Sequence, residues 1–138
     1  ELTLTMVSAI PESIYCLKNL RALTIQYGSN LTISPAIVRL APTLTSLNLV
    51  RISSALVLPD EVFYLSYLNT LSIVACGLET LPNAIGELTQ LNRLTVSNNR
   101  LSSLPLALGQ LTRLSALVLD NNIGLTSLKE LNTSRGLR

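Results

Sequence analysis

The residues able to do chemistry in this 138-residue chain are few, and their spacing points away from catalysis. There is no histidine. That removes Ser-His and Cys-His nucleophile pairs, and most zinc sites with them. The only adjacent carboxylates are Asp60 and Glu61, directly after Pro59. Acids in the first turn after a proline suit the positive end of a helical segment, so the pair reads as structural. Gly86 and Gly109 each lie in a Leu-Pro-x-x-apolar-Gly-x-Leu unit. Neither belongs to a phosphate-cradling loop, and no G-x-x-x-x-G-K-[ST] run occurs. Cys16 and Cys76 are too few for a disulfide framework. No cofactor or metal is expected. Asn30-Leu31-Thr32 and Asn132-Thr133-Ser134 fit the glycosylation sequon. In a chain with 11 Asn and about a fifth Ser plus Thr, roughly two such matches arise by chance, so the motif decides little.

The elements that would position any site follow from the leucines, which fill 32 of the 138 positions. Leu20-x-x-Leu23-x-Ile25 recurs as Leu44-x-x-Leu47-x-Leu49, Leu68-x-x-Leu71-x-Ile73, Leu91-x-x-Leu94-x-Val96 and Leu114-x-x-Leu117-x-Leu119, at offsets of 24, 24, 23 and 23 residues. In the same phase, Leu81-Pro82-x-x-Ile85-x-x-Leu88 matches Leu104-Pro105-x-x-Leu108-x-x-Leu111. Ile10-Pro11-x-x-Ile14-x-x-Leu17 and Leu58-Pro59-x-x-Val62-x-x-Leu65 match both. The alternating part predicts a short strand with one buried face. The part spaced by threes predicts a helical or 3₁₀ turn that admits Pro only at its start. One such unit cannot bury its leucines alone. Stacked units make a parallel sheet over a continuous core.

These units resemble the leucine-rich repeat, in the form L-x-x-L-x-L-x-x-N-x-L-x-x-L-P-x-x-apolar-x-x-L, over roughly residues 2–128. The expected fold is an α/β solenoid arc with a parallel concave sheet and short helical or 3₁₀ convex segments. The domain is expected over 1–128, with 129–138 as a degenerate tail. Lys129 there replaces the proline, and Asn132-Thr133-Ser134-Arg135-Gly136 breaks the pattern. The resemblance also implies a structural ladder, in which an Asn three residues after the strand core bonds neighbouring backbone. That place holds Gly28, Ile52, Cys76, Asn99 and Asn122. The ladder is therefore expected at Cys76, Asn99 and Asn122, with Cys a known substitute in the family. Asn30 is a candidate stand-in for its own repeat. Irregular turns are expected around 28–35 and 50–58, and either Ser34 or Pro35 aligns with the usual proline. Leu2 aligns with Ile73 when counted back from Pro11, so the first strand is expected to be cut through its middle. Neither end reads as a polar cap, and the chain is expected to be part of a longer array.

Leucines pointing inward leave their neighbours on the concave surface. Those columns are Ala22, Ser46, Thr70, Arg93 and Ala116, then Thr24, Asn48, Ser72, Thr95 and Val118, then Gln26, Val50, Val74, Ser97 and Asp120. The resemblance implies a protein or peptide ligand here, with Gln26, Asn48, Ser72, Arg93, Thr95, Ser97 and Asp120 as the contact residues. A rival patch lies in the convex segments, where Tyr15, Phe63, Tyr64 and Tyr67 hold four of the five aromatics. Filling space where the repeats are irregular is the preferred reading of these four, and contact with an adjacent domain of a longer protein is the alternative. Alternative roles are the substrate-recognition arm of a larger enzyme, such as a kinase or ubiquitin ligase, and the sensor region of an immune-type receptor.

The formal charge of +2 is carried by scattered single residues, and no basic run offers a footprint for nucleic acid. No apolar stretch reaches the ~18 residues that span a bilayer, and Glu1-Leu2-Thr3-Leu4-Thr5 is no signal peptide. Cys16 and Cys76 fall two to three repeats apart. At ~4.8 Å per strand this exceeds the ~7 Å that a disulfide bridges. With no cysteine-rich caps, the composition leans towards a reducing, cytoplasmic setting.

Overall fold

A computed structural model describes residues 1–125. The expected tail at 129–138, with Asn132, lies outside these residues. Six strands, β1 (Leu2–Thr5), β2 (Ala22–Gln26), β3 (Ser46–Val50), β4 (Thr70–Val74), β5 (Arg93–Thr95) and β6 (Ala116–Val118), form one sheet in chain order. Every pairing is parallel. A parallel neighbour needs a crossover, and each crossover here carries a single 3₁₀ turn. These turns are Glu12–Cys16, Pro35–Leu40, Asp60–Tyr64, Asn83–Glu87 and Leu106–Gln110, and Ile123–Leu125 follows β6. At five or six residues they are too short to be stable helices by themselves. Their packing against the inner face of the sheet holds them.

The leucines set the register. Leu2, Leu23, Leu47, Leu71, Leu94 and Leu117 face one another strand to strand, as do Leu4, Ile25, Leu49 and Ile73. Leu23, Leu47, Leu71 and Leu94 are completely buried. Leu117 departs from the expected buried column: it is 42% exposed, because no strand among the described residues stacks beyond β6. The start of the chain also departs from expectation. Leu4, not Leu2, aligns with Ile73, and β1 carries both inward residues rather than being cut through its middle. Ile10 follows Leu4 by six positions, whereas Ile33 follows Ile25 by eight and Leu81 follows Ile73 by eight. The first turn is two residues short, so counting back from Pro11 misplaces the strand.

Past each strand a residue adopts left-handed backbone: Met6, Tyr27, Arg51 and Ala75 directly after β1–β4, and Asn98 and Asn121 three positions after β5 and β6, with φ between 54° and 59°. A single left-handed residue outside glycine costs about 1–2 kcal/mol. The surrounding ladder holds it in place. The Met6 amide donates to Gln26 O (2.9 Å), Tyr27 to Val50 O (3.0 Å), Arg51 to Val74 O (2.8 Å), Ala75 to Ser97 O (3.2 Å) and Asn98 to Asp120 O (2.8 Å). The sheet's hydrogen bonding thus continues one residue past β1–β4, and as far as Asn98 past β5, while the chain turns away.

On the convex side, Pro11, Ser34, Pro59, Pro82 and Pro105 each precede a 3₁₀ turn. Ser34 is therefore the residue in the proline place, and its Oγ accepts from the Ala36 amide at 3.2 Å. Asp60 and Glu61 sit in the first turn of their segment, as their spacing after Pro59 requires. Tyr15 and Phe63 are core residues, 2% and 0% exposed, so the four-aromatic convex patch does not form. The Tyr15 hydroxyl accepts from the Ser34 amide at 3.3 Å, and burial raises its pKa. Only Tyr64 and Tyr67 of that group reach the surface.

Both cysteines are free thiols, Cys16 exposed and Cys76 buried. The Cys76 thiol donates to Leu49 O and Val74 O, and burial pushes its pKa up. Thiolate is the reactive form, so burial and a raised pKa both protect Cys76. A thiol-alkylating reagent at neutral pH is expected to modify one cysteine of the native protein, Cys16. Cys76 should follow only on unfolding. Mass spectrometry showing rapid double modification of native protein would contradict the placement of Cys76.

Candidate functional site

The open face of the sheet is a broad surface to which every strand among the described residues contributes. Asn48, Ser72 and Thr95 lie in one row across β3, β4 and β5, each directly opposite the next. Asn48 Nδ2 donates to Thr24 Oγ1 (3.2 Å) and Ser46 Oγ (3.4 Å), which holds its amide flat on the face. Gln26 opens a second row with Val50 and Val74. All of these residues are half-buried. Arg93 is exposed on β5, between Thr70 and Ala116. Asp120 is exposed beyond β6, where its carbonyl accepts from the Asn98 amide at 2.8 Å. Ser97 does not belong to the accessible group. It lies past the end of β5 and is only 9% exposed, because the tightening turn draws it inward.

The Asn ladder lies behind this face and is structural. Asn99 Oδ1 accepts from the Cys76 amide (3.0 Å) and the Leu78 amide (3.1 Å). Its Nδ2 donates to Ile73 O (2.7 Å), Val96 O (3.0 Å) and Ser97 O (3.1 Å). Asn122 repeats the scheme on Leu101 N, Val96 O and Leu119 O. Cys76 fills the same place with its two thiol bonds. Asn30 does not stand in for the ladder. It is exposed, with φ of 50°, and its side chain makes no hydrogen bond to a described residue.

The Gly28 and Ile52 places are filled differently. A Cβ on Gly28 would lie 2.8 Å from Val7 O and 3.2 Å from Ile52 Cδ1. An apolar contact therefore replaces the amide, with Ile52 2% exposed. The backbone bond from Ser53 N to Gly28 O (2.8 Å) ties the two turns together. The irregularity expected at 28–35 and 50–58 is thus a change of side chain with the backbone pairing kept, including the bridges Ala9 to Thr32 and Ser29 to Ser53.

Sequence reasoning missed the rim of the open face. Tyr27 and Arg51, two of the left-handed residues, sit side by side there. The Arg51 guanidinium carbon is 5.7 Å from the Tyr27 ring centroid, and Nη1 donates to the Tyr27 hydroxyl at 3.3 Å. Met6 continues the rim at 79% exposure. Asn98 and Asn121, bonded at 2.9 Å, continue it at the other end. Asn tolerates left-handed backbone. That recurring Asn, two residues after Val96 and again after Leu119, is the one sequence signal that could have located the rim.

Among the described residues, no group of three His, Cys, Asp or Glu side chains could hold a metal ion. Nor, among the described residues, is any helix long and apolar enough to cross a membrane.

No family model matches this chain, and no curated protein sequence does. Solved structures do. A leucine-rich-repeat protein of Leptospira interrogans is 34% identical and superposes with a TM-score of 0.77, over 87% of this chain and 31% of its own. The Arabidopsis receptor kinase HAESA, solved with the peptide hormone IDA and the co-receptor SERK1, is 26% identical. Its TM-score is 0.73, over 88% of this chain and 21% of that one. An internalin of Listeria monocytogenes shares the fold at 23% identity and a TM-score of 0.68, over 88% of this chain and 36% of its own. The chain thus spans roughly a third or less of each of these proteins' length. With the in-register leucine columns, the convex 3₁₀ turns and the Asn ladder all in place, these likenesses make the chain a leucine-rich-repeat protein.

Proposed function

We propose that this chain is a recognition module that holds a protein or peptide partner on the concave, open face of its sheet. The observation that carries this reading is the contrast between the two faces of the strands. Inward residues are sealed by the convex turns, while Thr24, Gln26, Asn48, Val50, Ser72, Val74, Arg93 and Thr95 keep access to solvent. Curved repeat arrays commonly use this surface for binding. The mixture of hydroxyls, amides and two valines suits an extended polypeptide better than a small apolar ligand. HAESA, a fold neighbour, was solved with a peptide hormone, which supports the same class of partner here. Within a longer protein the module would serve as the recognition arm of a receptor or of an enzyme such as a kinase or ubiquitin ligase.

The reading is tested with peptides selected against the protein from a random displayed library. Alanine at Gln26, Asn48 or Arg93 is expected to weaken binding, and alanine at Asp120 to alter it, without lowering the melting temperature. Arg93→Ala should have the largest effect of the four, about tenfold or ~1.4 kcal/mol, because its fork pairs bidentately with a carboxylate. The rival surface is convex, where Tyr64, Tyr67 and Leu106 are 57%, 61% and 96% exposed. Unchanged affinity in all four concave variants, with loss of binding in Tyr64→Ala, would move the site to that side.

A further inference from the structure

We infer that Tyr27 and Arg51 form a pre-organised anchor at the rim of the open face, and that it takes a carboxylate of an acidic protein segment lying across β2–β5. The inference rests on the reading of the open face as the binding surface and specifies the partner's chemistry.

The turn itself does not require these residue types. Met6, Ala75, Asn98 and Asn121 occupy the same left-handed position with nearly the same φ. A Tyr and an Arg there, both branching from a backbone that disfavours side chains, lack a folding explanation. Their backbone amides are fixed on Val50 O and Val74 O, so both side chains leave the sheet in defined directions. Stacking of the guanidinium on the Tyr27 ring, with the Nη1 bond to the hydroxyl, restrains Arg51 further. Guanidinium carries five N–H donors. The bond to Tyr27 is the only side-chain hydrogen bond that Arg51 makes among the described residues. The rest of its planar fork faces solvent, and Tyr27 is still 49% exposed. Tyr and Arg are the residue types that dominate binding hot spots, and restraint before binding lowers the entropy lost on binding.

The charge layout selects the partner. From β2 to β5, the open face and its two rims carry Arg21, Arg51 and Arg93 and no acidic residue. Glu1 and Asp120 stand at the two ends of the described array. Glu12, Asp60, Glu61 and Glu87 lie on the convex turns, and Glu79 is in the segment leading to one of them. A segment with carboxylates at intervals fits this surface, and a basic segment would meet three like charges. The half-buried Val50 and Val74 beside the anchor offer apolar contact to the residues between those carboxylates.

The test uses the protein and a random dodecapeptide display library. Selected peptides are expected to be enriched in Asp and Glu. The strongest, synthesised with a fluorescent label, should bind with an affinity that falls as salt is raised. Arg51→Gln and Tyr27→Ala should each weaken it by tenfold or more. Tyr27→Phe, which keeps the ring and loses the hydroxyl, should weaken it less. Arg39→Gln on the convex side should leave it unchanged, and thermal melts confirm folding throughout. Ser72→Tyr, a bulky block in the middle of the face, separates the two levels of the argument. If Ser72→Tyr abolishes binding and Arg51→Gln leaves it intact, the face binds and the anchor is wrong. If Ser72→Tyr is silent, the concave reading itself fails. Selection of neutral or basic peptides, or Arg51-dependent binding of a sulfated polysaccharide with no acidic peptide selected, would overturn the assignment of an acidic protein segment.

Discussion

Replacing Leu94 with Ala is expected to destabilise the protein by about 2–5 kcal/mol, the range for buried leucines truncated in a core that cannot collapse. Leu94 is completely buried, and it stands in register between Leu71 and Leu117. Side chains above and below it belong to fixed strands, so the space it leaves stays open. Leu117→Ala provides the comparison. The chemistry is the same and so is the column, but Leu117 is 42% exposed. Its loss should cost less than half as much. Urea unfolding followed by circular dichroism measures both. A Leu94→Ala effect below ~0.5 kcal/mol, the size of an ordinary surface change, would mean that the register is wrong.

Asn99→Ala is the second large effect, expected near the top of the ~1–3 kcal/mol range for a stranded buried polar group, because several groups lose their partner at once. Two buried amides, of Cys76 and Leu78, depend on Asn99 Oδ1. Three carbonyls, of Ile73, Val96 and Ser97, depend on its Nδ2. Asn122→Ala removes one amide partner and two carbonyl partners, so its effect should be smaller. Ser97→Ala serves as the control. Its hydroxyl makes no hydrogen bond to a described residue, and the change should be nearly silent although the residue is buried. Equal effects at Asn99 and Ser97 in thermal or urea melts would show that the ladder has been placed at the wrong residue.

The parts of this structure that were legible in sequence are those set by side-chain chemistry repeated in phase. Leu23, Leu47, Leu71 and Leu94 could be aligned because burying one face of a strand needs an apolar residue at every second position. Asn99 and Asn122 could be assigned because the resemblance to the leucine-rich repeat marks their place, and an amide there can both donate to and accept from backbone. What could not be read was set by backbone geometry. Nothing in the types Met6, Tyr27, Arg51 or Ala75 marks left-handed backbone. The neighbouring strand's carbonyls impose it on whatever residue stands there. The rim was hidden for that reason, and Tyr27 and Arg51 with it. The shortened first turn was hidden because Pro11 kept its place relative to Ile14 and Leu17 while the strand before it moved by two positions. Tyr15 and Phe63 were ambiguous as surface or core. They pack inward in a slot where Gly86 and Gly109 leave no side chain at all.

The central claim, that the open face of the sheet is the binding surface, is tested most directly by methyl-resolved NMR of the protein titrated with a library-selected peptide. Val50, Val74, Thr24 and Thr95 place methyl groups on the open face, and Ala84, Leu106 and Ala107 place them along the convex turns. The account predicts shifts or broadening at Val50, Val74, Thr24 and Thr95, with the convex methyls unmoved. Perturbation confined to Ala84, Leu106 and Ala107 would contradict it.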